Sequence, residues 1–190
     1  MPKLRVLVLL VIAVLVASLY GCVAAVVGGA GTAVLVGEDR RTVGTVTEDQ
    51  GIELKAANRI NDKFRSAHIN VTSYSRMVLV TGEAADAATK AEIERIVRAV
   101  ENVRGVYNEM AIAGNTALSA RANDSFITSK VKARFVDQQK FNPVHVKVVT
   151  EASVVYLLGM VKRKEADDAV QITRTTSGVQ KVVKLFEYLD

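Results

Sequence analysis

The sequence predicts an α+β protein built from two tandem αββαβ units, each a small three-stranded mixed sheet packed by two helices. Three observations lead there. The stretch from Ile69 to Gly82 aligns without gaps to the stretch from Val146 to Gly159, an internal repeat that sets the organisation before any single element is assigned. Each copy alternates apolar and polar residues, breaks at a polar turn and resumes as an apolar run ending in glycine, which is the pattern of a β-hairpin. On both sides of each hairpin, apolar residues fall at helical spacing.

In the first unit, Ile52, Ala56, Ile60 and Phe64 mark the helix before the hairpin, and Ile93, Ile96, Val97 and Val100 the helix after it. The stretch from Asn102 to Tyr107 then leads into a third strand ending near Ile112, and a strand, crossover helix and returning strand connect right-handedly. The second unit repeats this order with Ile127, Val131 and Phe135, and more weakly with Ala166, Ala169, Val170 and Thr173. Asp124 reads as an N-cap, its carboxylate accepting an amide of the first turn. The stretch from Asp137 to Pro143 reads as a longer loop than its counterpart, and Gly178 to Val183 leads into a last strand ending near Leu189. The units are expected over 48–114 and 123–190. Each is near the lower size limit for a self-sufficient core. Gly82 and Gly159 read as structural, permitting a positive φ or a close backbone approach, and Tyr74 and Tyr156 as packing residues of the sheets.

Ahead of the repeat, Lys3 and Arg5 precede an unbroken apolar run from Val6 to Ala17, and Leu19-Tyr20-Gly21 leads to Cys22, the one cysteine of the chain. Charged, apolar, then cleavable is the order of a secretory leader, here 1–21. The run is short for a permanent span of a ~30 Å hydrocarbon layer, which takes roughly 20 residues. Leu at minus three and Gly at minus one resemble the bacterial lipobox, with Tyr20 as the departure from it. Cys22 is then the lipid-attachment residue, and a lone cysteine in an exported chain has no internal disulfide partner. Residues 22–47 read as an apolar, glycine-rich tether followed by a polar linker; Gly28-Gly29-Ala30-Gly31 lacks the Gly-Lys-Ser/Thr ending of a phosphate loop. Val23 is not the Asp that marks inner-membrane retention in many lipoproteins. The formal charge of +5 falls with the loss of Lys3 and Arg5, leaving a mildly basic chain that suits acidic headgroups and argues against nucleic acid as a partner.

Tandem αββαβ units with hairpin and glycine, behind such a leader, resemble the BON-domain family. The stretches Gly105-Val-Tyr-Asn-Glu109 and Asn123-Asp-Ser-Phe-Ile-Thr-Ser-Lys-Val-Lys132 are similar to those of its dual-BON outer-membrane lipoproteins. The resemblance implies phospholipid association and envelope integrity rather than catalysis. It also implies anchoring in the inner leaflet of the outer membrane, facing the periplasm, with a division-site position.

The residues themselves show no nucleophile with a base and no paired carboxylates in a cleft, so no enzyme is expected. His68 and His145 have no second histidine or cysteine at metal-ligand spacing and read as strand-edge or loop residues, so neither a metal nor a cofactor is expected beyond the lipid on Cys22. The informative feature is a second row on the first helix of unit two. Beside Ile127, Val131 and Phe135 run Phe126, Lys130 and Arg134, each rotated about 100° from its neighbour. An aromatic ring and two cations on one face suit a bilayer interface, with Asp124, Ser125 and Ser129 as polar contacts. Anionic phospholipid, phosphatidylglycerol or cardiolipin, is the expected partner. Aligned helices place Lys55, Arg59 and Lys63 opposite Phe126, Lys130 and Arg134, so that unit one keeps the charge and lacks the ring. Two alternatives stand beside this reading: Phe126 packs between the domains, or the chain is an adaptor for other envelope proteins.

Overall fold

The computed structural model describes residues 39–65 and 67–190; the leader, Cys22 and most of the tether lie outside them. No helix among the described residues is long and apolar enough to cross a membrane.

The first unit runs α1 (Val43–Lys63), β1 (Ile69–Tyr74), β2 (Met77–Ala84), α2 (Ala87–Arg98), β3 (Gly105–Asn108) and β4 (Ala111–Ile112). The second runs α3 (Leu118–Gln138), a 3-10 turn (Pro143–His145), β5 (Val146–Glu151), β6 (Val154–Val161), α4 (Arg163–Arg174) and β7 (Lys181–Tyr188). In each, the hairpin strands pair antiparallel and the last strand returns parallel to the second. The third strand of unit one is broken at Glu109 and Met110, so β3 and β4 pair in succession with β2.

Helix starts follow local chemistry. Thr42 caps α1 by accepting the Thr45 amide at 3.1 Å, and Asp86 caps α2 through Thr89 at 2.7 Å. At α4 the Glu165 side chain reaches back to the Lys162 amide at 2.8 Å. Both cores form where the periodicity places them. Ile52, Ala56 and Ile60 pack with Val78, Val80, Ile93 and Val97, and Ile127, Val131 and Phe135 with Val155, Leu157, Ala169 and Ile172. The polar segment before residue 48 is in part helical, since α1 begins at Val43.

Two readings are corrected at α3. The helix begins at Leu118 with no side-chain cap, so Asp124 lies inside it and is not its N-cap. It also continues through Gln138, whereas Asp137 and Gln138 read from sequence as part of a loop.

The outward faces of the two sheets meet. Tyr74 and Leu79 of unit one join Tyr156 and Leu158 of unit two in a third apolar cluster, with Val149, Met160, Val183 and Leu185 around it. Arg41 lies over the Tyr74 ring at 4.0 Å, and burial pushes the Tyr156 hydroxyl up to about 12. Polar contacts flank the cluster: Lys147 pairs with Glu53 at 2.8 Å, and Asn70 donates to Glu151 at 2.9 Å.

Candidate lipid-facing helix

The position of α3 is set by its buried row and by Asp124, which is only 5% exposed. The Asp124 carboxylate accepts the backbone amides of Ala152 and Ser153 at 2.9 and 2.8 Å. These two residues form the β5–β6 turn at φ 48° and 62°, a left-handed conformation that non-glycine residues hold only when something pays for it. Unit one does the same: Asp49 accepts the amides of Ser75 and Arg76 at 2.8 and 2.7 Å, at φ 52° and 65°. A buried aspartate inside each leading helix thus fixes the tip of the following hairpin. Asp124 is withdrawn from solvent by this task.

This pairing also corrects the alignment of the helices. With Asp49 opposite Asp124 and Ile52 opposite Ile127, Lys55 corresponds to Lys130, Arg59 to Arg134, and Gly51 to Phe126. The two cations of unit two are engaged rather than free. Lys130 Nζ donates to the Ser177 carbonyl, and Arg134 donates to the Ile172 carbonyl at 2.9 Å and the Thr176 hydroxyl at 2.8 Å. They meet the carbonyl end of α4, where a positive charge complements the helix dipole. Arg59 does likewise at the Ala99 carbonyl, at 2.8 Å.

Phe126 is 61% exposed, which rules out packing between the domains. Lys130 Nζ stands 4.8 Å from its ring centroid. Ser125 and Ser129 are exposed, but their hydroxyls donate back to the carbonyls of Arg121 and Ser125 at 3.1 and 3.0 Å. The surface row that emerges is therefore different in membership. Leu118 at 79% and Val136 at 61% are exposed on the same side as Phe126, with Ala122, Ser129 and Ala133 between them. At 100° per residue these six fall within roughly 80° of arc, opposite the buried row, along ~27 Å of helix. Lys132 flanks the stripe, exposed and without an ion pair among the described residues. The matching stripe of α1 reads Val43, Thr47, Gly51, Leu54, Asn58 and Asn61, with polar side chains or glycine at four of its six places. Two cations of α1 are paired within unit one, Lys55 with Glu101 at 2.9 Å and Lys63 with Glu92 at 2.6 Å.

Gly82 and Gly159 both sit where β2 or β6 passes the backbone before the hairpin. A Cβ on Gly82 would stand 1.9 Å from the His68 carbonyl oxygen, and one on Gly159 2.4 Å from that of His145. Gly82 also has φ +106°.

Sequence reasoning missed one cluster altogether. His68 Nδ1 lies 3.0 Å from Glu83 Oε2 and 3.9 Å from Glu151 Oε1, so the first strands of both units and the second of unit one converge on it. Carboxylates so distant in sequence give no local spacing by which to find them.

A family model described as "BON domain" matches residues 48–114 and 123–190. The chain is 35% identical over 175 residues to "Outer membrane lipoprotein DolP" of Haemophilus influenzae, covering 90% of this chain and 91% of that protein. It is 29% identical to "21 kDa hemolysin" of Actinobacillus pleuropneumoniae, over 80% of this chain and 79% of that one. It is also 29% identical to "Osmotically-inducible protein Y" of Escherichia coli, over 74% of this chain and 72% of the relative.

Proposed function

The chain belongs to the BON-domain family, and from that premise we propose that it is an outer-membrane lipoprotein whose second BON domain binds anionic phospholipid. Lipid on Cys22 anchors it in the inner leaflet, facing the periplasm, and the α3 stripe inserts at the headgroup boundary. Its role is non-catalytic: it helps to maintain the integrity of the membrane it reads, including at the division site.

The observation that carries the reading is the exposed Leu118, Phe126 and Val136 row opposite the buried face of α3. A helix of a water-soluble domain ordinarily buries its one apolar stripe; a second, exposed one marks an interaction site. Inserting a Phe contributes roughly 1.5 to 3 kcal/mol, and each cation near an acidic surface on the order of 1 kcal/mol. Lys132 supplies such a charge directly. Lys130 and Arg134 are bonded to carbonyls of α4 and of the loop after it, so they contribute to the field more than to headgroup hydrogen bonds. The name of the Haemophilus relative, an outer membrane lipoprotein, supports the location. The anchor adds local concentration, so weak recognition by α3 suffices.

Phosphatidylglycerol or cardiolipin is the matching ligand by charge. Sedimentation of the Phe126→Asp protein with phosphatidylglycerol vesicles tests this. Binding at least tenfold weaker than wild type, with the unfolding transition unchanged, is the expected result. Unchanged binding refutes the lipid reading and leaves the stripe to an envelope protein partner.

A further inference from the structure

We propose that the cavity between α3 and the first domain takes a phosphorylated polyol, with its phosphate on Arg121. The headgroup of a glycerol-bearing phospholipid and a soluble glycerol phosphate share that chemistry. Arg121, Ser125, Thr128 and Thr150 of the second domain line the cavity, with His68 and Asn70 of the first. Its volume is about 250 Å³. That is on the order of eight water volumes, room for a glycerol phosphate unit. Arg121 is the reason to expect an anion. Its Nε is closed off from solvent and bonds to nothing, and its guanidinium pairs with no carboxylate among the described residues. Folded proteins rarely leave a buried donor in that state, and the guanidinium fork matches two phosphate oxygens.

The two carboxylates in the same wall already have donors. Asp124 accepts the amides of Ala152 and Ser153, and Glu151 accepts the Asn70 amide at 2.9 Å. Thr128 donates to the Thr150 hydroxyl at 2.7 Å, which leaves the Thr150 proton without an acceptor among the described residues. A hydroxyl both donates and accepts, so a polyol can take the Thr150 proton and give its own to a carboxylate oxygen. Ser125 borders the cavity and stands about 40° round α3 from both Arg121 and Ser129, so the opening adjoins the exposed stripe. For a lipid, the inference rests on that stripe lying at the headgroup boundary. A chain along Leu118 and Phe126 then leaves its headgroup beside the opening, where both domains contact it.

The test joins vesicle sedimentation of full-chain variants to the side-chain Nε–H resonance of Arg121. On phosphatidylglycerol vesicles Arg121→Gln should bind about tenfold more weakly than wild type, or worse, and Lys132→Gln, an equal loss of charge on the same flank, no more than about fivefold. Equal losses overturn the proposal, because Arg121 then acts through its charge alone. In the wild-type chain, held in non-ionic detergent micelles, the resonance should shift on adding glycerol phosphate or phosphatidylglycerol. A shift with phosphatidylglycerol alone assigns the cavity to a lipid headgroup, and a shift with glycerol phosphate extends it to the soluble compound. A shift with neither overturns the site, whether or not Arg121→Gln folds. The stripe and the cavity fail separately. Weak binding by Phe126→Asp with wild-type binding by Arg121→Gln sinks the cavity and keeps the stripe. Unchanged binding by Phe126→Asp with a glycerol phosphate shift does the reverse.

Discussion

Asp124 accepts the amide of Ser153 at 2.8 Å, across the second domain from the middle of a helix to the tip of a hairpin. The turn residue is at φ 62°, so the carboxylate holds a backbone conformation that the sequence of the turn would not choose. Asp124→Ala leaves two amides without their acceptor and is expected to cost about 2 to 3 kcal/mol, read as a lower midpoint in urea unfolding. Asp49→Ala should do the same to the first domain. Vesicle binding per folded molecule should be retained in Asp124→Ala, since the carboxylate faces the turn and not the membrane.

This relationship shows where sequence reading stops. The buried rows, both hairpins and the glycines were legible because each is a local periodicity with one period. Asp124 was not: an aspartate ahead of Ile127 reads as a cap, and nothing local reveals that an uncapped helix has already begun at Leu118. The apolar positions of α3 fall on two opposite faces, so the exposed row of Leu118, Phe126 and Val136 was half hidden behind the core row. Lys130 and Arg134 were visible as cations, but their carbonyl partners lie on α4 and the loop after it, beyond any spacing rule.

The two equivalent glycines should differ in their tolerance. Gly82→Ala meets both a backbone oxygen at 1.9 Å and φ +106°, whereas Gly159→Ala meets an oxygen at 2.4 Å alone. A left-handed φ costs an L-residue roughly 1 to 2 kcal/mol before the collision is counted. Gly82→Ala is expected to lose about 3 kcal/mol or more, and Gly159→Ala less, in paired urea titrations.

Gly51 is the place in α1 that Phe126 occupies in α3, and a Cβ there meets nothing within 4 Å. Gly51→Ala should stabilise the first domain by about 0.5 to 1 kcal/mol, because alanine removes backbone freedom from the unfolded chain. Gly51→Phe asks the functional question: it gives the first domain an exposed ring beside Lys55. Tighter binding to phosphatidylglycerol vesicles is the expected outcome, and no gain would mean that a ring without Leu118 and Val136 along its helix is insufficient.

The segment entering the first domain is fastened to the second. Arg40 grips Glu165 with bonds of 2.6 and 2.8 Å and donates to the Met160 carbonyl at 2.8 Å. The Arg40 bond, with the Lys162 amide and the Arg40 charge behind it and against the opposing effect of burial, holds the Glu165 carboxyl down at about 2 from an ordinary 4.5. A carboxyl lowered on folding stabilises fully above its unfolded value, and the contribution fades as pH falls from about 4.5 towards 2. The pair is partly exposed, so its contribution is on the order of 1 kcal/mol and declines with salt. Burial pushes the Glu83 carboxyl up, but its bonds from Thr116 and His68 outweigh that push and hold it below its ordinary value, so it too takes up its proton on acidification. The measurement is therefore a difference: urea stability of wild type minus Glu165→Gln, followed from pH 7 to pH 2. The difference should be flat above about pH 5 and shrink below it, as the wild-type carboxyl takes up its proton and loses the advantage over the amide. A difference independent of pH would mean that Glu165 acts only through the hydrogen bonds its glutamine replacement can still accept.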